Sequence, residues 1–172
     1  YEEAEAQLAK EIEADPGFFV GVHKSQSRRV IFITANDHTT TEWRYLSTAP
    51  GQQELKLVAE RQRGVDYSVV DFDNRFWIRT NRNGAVDFAL VSAPHDTPSE
   101  ENWRIEIPHR PGVLILEVEP LADFLVRLER ENGLPRIVVR ERAGGAEHAI
   151  AFAEAAYALS ISNGFLWNSP WL

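Results

Sequence analysis

The sequence predicts an all-β protein, a β-propeller segment of about three to three and a half four-stranded antiparallel blades. Short strand-like runs arrive in sets of four, and the set restarts about every 45 residues. A repeat of ~40–50 residues with four strands in each unit is typical of propeller blades. The first runs of the successive sets begin near Phe18, Tyr67, Val113 and Tyr157. A plain antiparallel sandwich, whose strands also recur every ~8–12 residues, is the alternative.

Residues 1–17 differ from the rest and are predicted to form an N-terminal extension. Ala4, Leu8 and Ile12 stand among Glu, Gln and Lys, which are good helix formers. Leu8 and Ile12 are four residues apart and would share one helix face. The run Asp15-Pro16-Gly17 ends any helix. We expect a short amphipathic helix here, or a strand end that carries an insertion, and then a partial propeller over 18–172.

Three blades are predicted over about 18–59, 66–107 and 113–152, and an incomplete blade over 156–167. The strands predicted for the first blade are Phe18–Lys24, Arg29–Ala35, Glu42–Ser47 and Glu54–Ala59. Those of the second are Asp66–Phe72, Arg75–Thr80, Val86–Ser92 and Trp103–Ile107. Those of the third are Val113–Glu119, Asp123–Arg130, Arg136–Glu141 and Glu147–Phe152.

Turn motifs separate the predicted strands. Asp73-Asn74 and Asn132-Gly133 are residue pairs that close a hairpin. The run Asn81-Arg82-Asn83-Gly84 also predicts a hairpin. Alternation supports these assignments, since Arg44 and Arg79 each stand between apolar or β-branched neighbours in half-polar strands.

Composition narrows the classes of function. The chain has 18 Lys and Arg against 26 Asp and Glu, a net charge of −8. This balance argues against nucleic acid and anionic membranes as partners, because both attract basic surfaces. The chain has no cysteine, which fits a reducing compartment, so we expect a cytoplasmic protein, with the periplasm as the alternative. Because no methionine stands at position 1, we expect the chain to begin inside a longer polypeptide.

Several segments, read in order, resemble the N-terminal propeller of the prolyl oligopeptidase family of serine peptidases, in particular of oligopeptidase B (protease II). These segments are Phe18–Ser25, Thr39–Leu46, Asp66–Val69, Asn74–Asn81, Ile107–Arg110, Ile150–Phe152 and Ala156-Tyr157. The likeness covers most of residues 18–162. The extension around Ala4–Ile12 and the residues after Ser162 depart from it.

The resemblance implies a seven-bladed propeller that caps an α/β-hydrolase domain with a Ser-Asp-His triad. Such enzymes cleave short peptides after basic residues. This chain would supply about three blades and part of a fourth. The hydrolase domain of the same polypeptide would then be its partner, and short basic peptides the substrates.

The residues themselves carry no motif for catalysis or for a cofactor. None of the serines stands in the Gly-x-Ser-x-Gly context of a hydrolase nucleophile. The five histidines lack the His-x-x-x-His spacing that places two imidazoles on one metal ion. No Gly-x-Gly-x-x-Gly or Walker loop is present. We therefore expect no catalytic residue, no cofactor and no metal site.

Acidic residues on the predicted innermost strands are the candidate functional residues. Asp66, Asp71, Glu117 and Glu119 lie on or beside the first strands of the second and third blades. First strands line the central channel of a propeller. Carboxylates there would concentrate cationic peptides and raise their rate of encounter. The alternative is that they are ordinary turn carboxylates and solvated strand faces.

The sequence thus predicts the non-catalytic propeller portion of a serine oligopeptidase, which gates access of short peptides to a hydrolase domain. The alternative is a stand-alone interaction module without peptidase activity. Both predict self-association, because an incomplete propeller leaves two open sheet edges.

Overall fold

A computed structural model describes residues 15, 17–51, 54–153 and 158–161. Within these residues the chain forms twelve strands and two short 3-10 turns. The strands are β1 (Phe19–Lys24), β2 (Val30–Asn36), β3 (Thr41–Ser47), β4 (Lys56–Leu57), β5 (Tyr67–Phe72), β6 (Arg75–Thr80), β7 (Ala89–Pro94), β8 (Arg104–Ile107), β9 (Val113–Pro120), β10 (Phe124–Glu131), β11 (Leu134–Glu141) and β12 (Glu147–Ala149). The 3-10 turns are Arg82–Gly84 and Glu100–Asn102.

The strands form three four-stranded antiparallel sheets in chain order: β1 to β4, β5 to β8 and β9 to β12. In each sheet consecutive strands are neighbours, which is the meander of a propeller blade. The predicted all-β class and the blade architecture are confirmed. None of the helices in the described part of the chain is long and apolar enough to cross a membrane.

Two predicted segments fall largely outside the described residues. Of the extension over 1–17, only residues 15 and 17 are described. Of the incomplete blade over 156–167, only residues 158–161 are described, and these four form no strand.

The two short hairpin turns follow the prediction. Asp73 and Asn74 have φ values of 55° and 58°, and Asn132 and Gly133 have 51° and 82°. Two successive left-handed residues make the type I′ turn, whose twist matches that of antiparallel strands.

The hairpin predicted at Asn81–Gly84 has a longer loop than expected: β6 and β7 are neighbours in the sheet, but β6 ends at Thr80 and β7 begins only at Ala89. The Thr80 hydroxyl accepts the backbone N–H of Arg82 at 3.1 Å, which starts a 3-10 turn in place of a tight turn. Phe88 then has a φ of 64°, a left-handed conformation that interrupts an extended strand. For this reason β7 starts three residues later than predicted.

The chain divides into two compact units, Tyr1–Ile78 with Ser92–Arg104, and Arg79–Val91 with Ile105–Leu172. The first unit has an aromatic core. The Phe76 ring lies 5.7 Å from that of Phe32 and 4.8 Å from that of Tyr45, between centroids. The Trp43 indole N–H donates to the Tyr67 carbonyl at 2.8 Å, so its polar atom is satisfied within an apolar setting.

In the second unit, Arg79 connects the segment Arg79–Val91 with the segment that begins at Ile105. Its guanidinium lies 3.4 Å above the centroid of the Phe88 ring, and its Nε donates to the Ile115 carbonyl at 2.6 Å. The Ile115 N–H in turn donates to the Asp87 carbonyl at 3.0 Å. These contacts hold Phe88 in its left-handed conformation. Such a conformation costs a non-glycine residue ~1–3 kcal/mol.

Candidate functional site

The four predicted channel carboxylates lie on two strands, one in each unit. Asp66 directly precedes β5 and Asp71 lies within it, and their odd separation places them on opposite faces of the extended chain. Glu117 and Glu119 lie on β9, where an even separation gives them the same face. Asp66 and Asp71 belong to the first unit, and Glu117 and Glu119 to the second.

Asp71 is a fully buried anion with three partners. The Ser27 hydroxyl donates to its Oδ2, His95 Nε2 lies 2.8 Å from its Oδ1, and Arg29 Nη2 lies 3.8 Å from the same oxygen. Burial raises the pKa of Asp71, but the contacts with His95 and Ser27 and the charge of Arg29 outweigh it, so the pKa lies below its ordinary value. We call Ser27, Arg29, Asp71 and His95 the Asp71 cluster.

The Asp71 cluster contains a serine, a histidine and an aspartate, the residue types of a serine hydrolase triad, but their contacts differ from those of a triad. In a working triad the histidine takes the serine proton, and the aspartate orients the histidine. Here the Ser27 hydroxyl donates to Asp71 rather than to His95. The His95 ring instead packs on Phe76, with centroids 4.3 Å apart, and its carbonyl accepts from the Tyr45 hydroxyl at 2.6 Å. The cluster therefore joins the first and second sheets and does not activate a nucleophile.

Asp66 is half-buried and ties the start of β5 to the start of β3. Its Oδ1 accepts from the Thr41 hydroxyl at 2.5 Å, and the Thr41 N–H donates to the Val65 carbonyl at 3.0 Å.

A β-bulge sets the orientation of the two glutamates on β9. Leu128 of β10 pairs with Glu117, but the next residue, Glu129, pairs with Ile115, so β9 has one extra residue between them. Directly paired residues share a face, so Glu117 shares a face with Leu128, and Glu119 with Val126.

Glu117 is the candidate with the least compensated charge. It is half-buried, and burial raises its pKa above the ordinary value. Within the described residues its carboxylate has no hydrogen bond and no ion pair. Glu119, two residues on, is only 8% exposed. A carboxylate in this state gains most from a cation that approaches it.

Sequence reasoning missed a larger charged cluster, the Glu129 network, in the second unit. Its members are Arg110, Arg127, Glu129, Glu131, Arg136 and Glu147. Glu129 Oε1 accepts from Arg127 Nε at 2.9 Å and from Arg110, and its Oε2 accepts from Arg136 Nη2 at 2.8 Å. Both Arg127 and Glu129 have 0% exposure. The available signal was Arg127-Leu128-Glu129, two opposite charges two residues apart and therefore on one face of a strand that begins with three apolar residues.

Burial raises the pKa of Glu129, but the hydrogen bonds from Arg127 and Arg136 and the charges of Arg127 and Arg110 outweigh it, so the pKa is lowered. Among the described residues there is no group of three or more His, Asp or Glu side chains placed to hold a metal ion.

The comparison with known protein families decides the identity of the fold. Residues 2–168 match the model of the prolyl oligopeptidase N-terminal β-propeller domain. The chain belongs to this family. The resemblance noted in the sequence is thereby confirmed.

Relatives and solved structures give the same assignment. Dipeptidyl aminopeptidase BI of Pseudoxanthomonas mexicana is 31% identical over 161 residues, which is 93% of this chain and 22% of that protein. Protease 2 of Moraxella lacunata is 32% identical over 151 residues, 87% of this chain and 21% of that protein. Oligopeptidase B from Leishmania major superimposes with a TM-score of 0.75 at 25% identity, over 83% of this chain and 21% of that one. The chain thus spans about a fifth of the length of these relatives.

Proposed function

We propose that this chain is the non-catalytic propeller portion of a serine oligopeptidase similar to oligopeptidase B. In that role it gates the access of short peptides, cleaved after basic residues, to a hydrolase domain outside these 172 residues. The observation that carries the proposal is the match of three successive four-stranded sheets to oligopeptidase B, with a TM-score of 0.75.

Gating has a steric part and an electrostatic part. A propeller channel is too narrow for a folded protein, so it admits short or extended peptides. Glu117 and Glu119 lie on β9, the first strand of the third sheet, and first strands line such a channel. Together with the net charge of −8, they support a negative potential that draws basic peptides in.

The chemistry of peptide hydrolysis belongs to the hydrolase domain. There a serine would attack the scissile carbonyl, with histidine as general base and aspartate orienting the histidine. The residues of this chain act before that step. They determine which peptides reach the serine and how fast they arrive.

The test uses the longer polypeptide that contains this chain and its hydrolase domain. It compares kcat/KM for a short arginine-containing peptide with that for the same sequence inside a stably folded protein. We expect cleavage of the short peptide and very little of the folded protein. Equal kcat/KM values for the two substrates would contradict the gating role.

The electrostatic part is tested with Glu117→Gln, matched to Glu141→Gln at an exposed position. A whole charged cleft changes association rates by ~10–10³-fold, so loss of Glu117 should lower kcat/KM for the basic peptide by less than about tenfold. The difference should shrink as salt is added. An equal effect of the two substitutions would remove Glu117 from the gating role.

The alternative function, a stand-alone interaction module, is favoured by the exposed strand β1. Within the described part of the chain, β1 is an outer strand of the first sheet, and Phe19 on it is 67% exposed. Such an edge can pair with another chain. Sedimentation should show a mass that rises with concentration, and a constant monomer mass would contradict this. Peptide hydrolysis by the longer polypeptide would support the peptidase role, and its absence would favour the interaction module.

A further inference from the structure

The first unit contains a cleft of about 730 Å³, within the ~300–1,000 Å³ typical of ligand sites. Its lining carries six ionisable side chains: Arg29, Tyr45, Glu54, Lys56, His95 and Asp96.

Tyr45 presents an acceptor in this cleft. Its hydroxyl donates to the His95 carbonyl at 2.6 Å, so its proton is committed and the oxygen lone pairs remain to accept a hydrogen bond. Burial raises the pKa of Tyr45, and the negative charges of Asp96 and Glu54 raise it further. Both carboxylates line the same cleft as Tyr45.

Both carboxylates are available to a ligand. Within the described residues neither Glu54 nor Asp96 has a hydrogen bond or an ion pair with the protein. A phenol oxygen and two carboxylates together form a set of acceptors without a donor, which suits a guanidinium or an ammonium group.

The same cleft also has basic groups. Lys56 is exposed, and the Arg29 side chain is 49% exposed, with Nη1 donating to Asn74 Oδ1. Arg29 has five N–H donors in all, so donors remain for an anion beside the bond to Asn74 and the approach of Nη2 to Asp71 at 3.8 Å. The cleft thus offers places for a cation and an anion of one small ligand.

We infer that this cleft binds a short peptide that ends in arginine or lysine, with the basic side chain at Tyr45, Glu54 and Asp96 and the terminal carboxylate at Arg29 and Lys56. The inference rests on the proposed function, because cleavage after a basic residue releases a peptide that carries both charges on its last residue. The cleft is then a site where the cleaved peptide binds to the propeller.

The experiment is calorimetric titration of the 172-residue chain with acetyl-alanyl-arginine. Two matched probes remove one charge each: acetyl-alanyl-citrulline lacks the guanidinium charge, and acetyl-alanyl-arginine amide lacks the carboxylate. We expect citrulline to weaken binding by at least about tenfold, since charged hydrogen bonds are lost, and the amide to weaken it by a smaller factor. Equal affinities of the arginine and citrulline peptides would overturn the inference.

Variants locate the site. Asp96→Asn and Glu54→Gln should each weaken binding of the arginine peptide, whereas Glu141→Gln, exposed and outside the cleft, should not. A bound guanidinium should also lower the Tyr45 pKa in an ultraviolet titration, and Tyr45→Phe should remove that change. If Asp96→Asn and Glu54→Gln both keep the native circular dichroism spectrum and bind the arginine peptide with unchanged affinity, the peptide binds elsewhere and the inference is overturned.

The two proposals fail separately. If the longer polypeptide hydrolyses arginyl peptides but this chain binds no arginine peptide at millimolar concentration, the cleft inference falls and the peptidase role stands. If the peptide binds as predicted but the longer polypeptide hydrolyses nothing, the cleft is a peptide site and its link to cleavage falls.

Discussion

The two units bury charge in different ways. In the first unit Asp71 is compensated by a serine, a histidine and a half-exposed arginine. In the second unit Glu129 is surrounded by three arginines, and one of them, Arg127, is itself fully buried. The number of buried charges left behind therefore sets the expected cost of breaking each cluster.

The two clusters differ in how their charged partners can respond when a contact is lost. One partner of Asp71 can adapt, because the Arg29 side chain is 49% exposed and can turn to water. Arg127 cannot, since it has 0% exposure and a guanidinium stays protonated. The second unit thus contains a buried ionic network centred on Glu129, whereas the first contains aromatic packing around Phe76.

The largest effect is expected from Glu129→Gln. It leaves Arg127 buried without its central partner, and breaking a buried pair costs ~3–5 kcal/mol. The measurement is the free energy of unfolding in urea. Glu131→Gln is the matched control, because Glu131 pairs with Arg136 at a site where its side chain is 37% exposed, and exposed pairs contribute ~0–1 kcal/mol. Similar losses for both variants would show that the network is not centred on Glu129.

A smaller effect is expected from Asp71→Asn, about 1–3 kcal/mol, the cost of leaving buried partners unsatisfied. Asp73→Asn, two residues on in an exposed turn, serves as the control and should change the free energy of unfolding by no more than ~0.5 kcal/mol. A loss in Asp71→Asn no larger than in this control would reduce the Asp71 cluster to a surface contact.

The Asp71 cluster also predicts a pH dependence. The pKa of Asp71 is lower in the folded chain, so its stabilisation is present above the ordinary carboxyl pKa and is lost as the pH falls through the folded value. The wild-type free energy of unfolding should therefore decline in acid, and Asp71→Asn should decline less. Parallel pH profiles of the two proteins would contradict this.

The smallest effect is expected at the hairpin turns. Gly133 has a φ of 82° with open space where a Cβ would lie, so Gly133→Ala should cost only the backbone penalty of about 1–2 kcal/mol. Gly144→Ala, in a turn of the same sheet where φ is not positive, should change the free energy of unfolding by ~0.5 kcal/mol or less. Equal losses would mean that the turn conformation is not the cause.

Most strands could be predicted from the sequence because their signals are local. Arg75–Thr80 is found as predicted, since its run of apolar and β-branched residues and the Asp73-Asn74 turn both act over a few residues. The fourth strand of the first sheet is shorter than predicted, only Lys56–Leu57. The loop over 81–88 was misread because its course depends on Arg79 and Ile115, which lie far apart in the sequence.

The charged clusters could not be predicted in the same way. Nothing near Asp71 in the sequence indicates His95, 24 positions later, and the contact exists only because β5 and the end of β7 fold together. The candidate acids could be placed on or beside β5 and β9, but their burial and pairing follow from register and from the bulge beside Glu117.

The most direct test of the account is the turnover of a fluorogenic arginyl peptide by the purified chain, measured beside a polypeptide that joins it to the hydrolase domain. We expect no turnover by the chain alone, because no serine in the sequence has the Gly-x-Ser-x-Gly context of a nucleophile and, in the described part of the chain, the Ser27 hydroxyl donates to Asp71 rather than to a histidine. We expect turnover by the joined polypeptide. Hydrolysis by the 172 residues on their own would contradict the assignment of this chain as a non-catalytic gate.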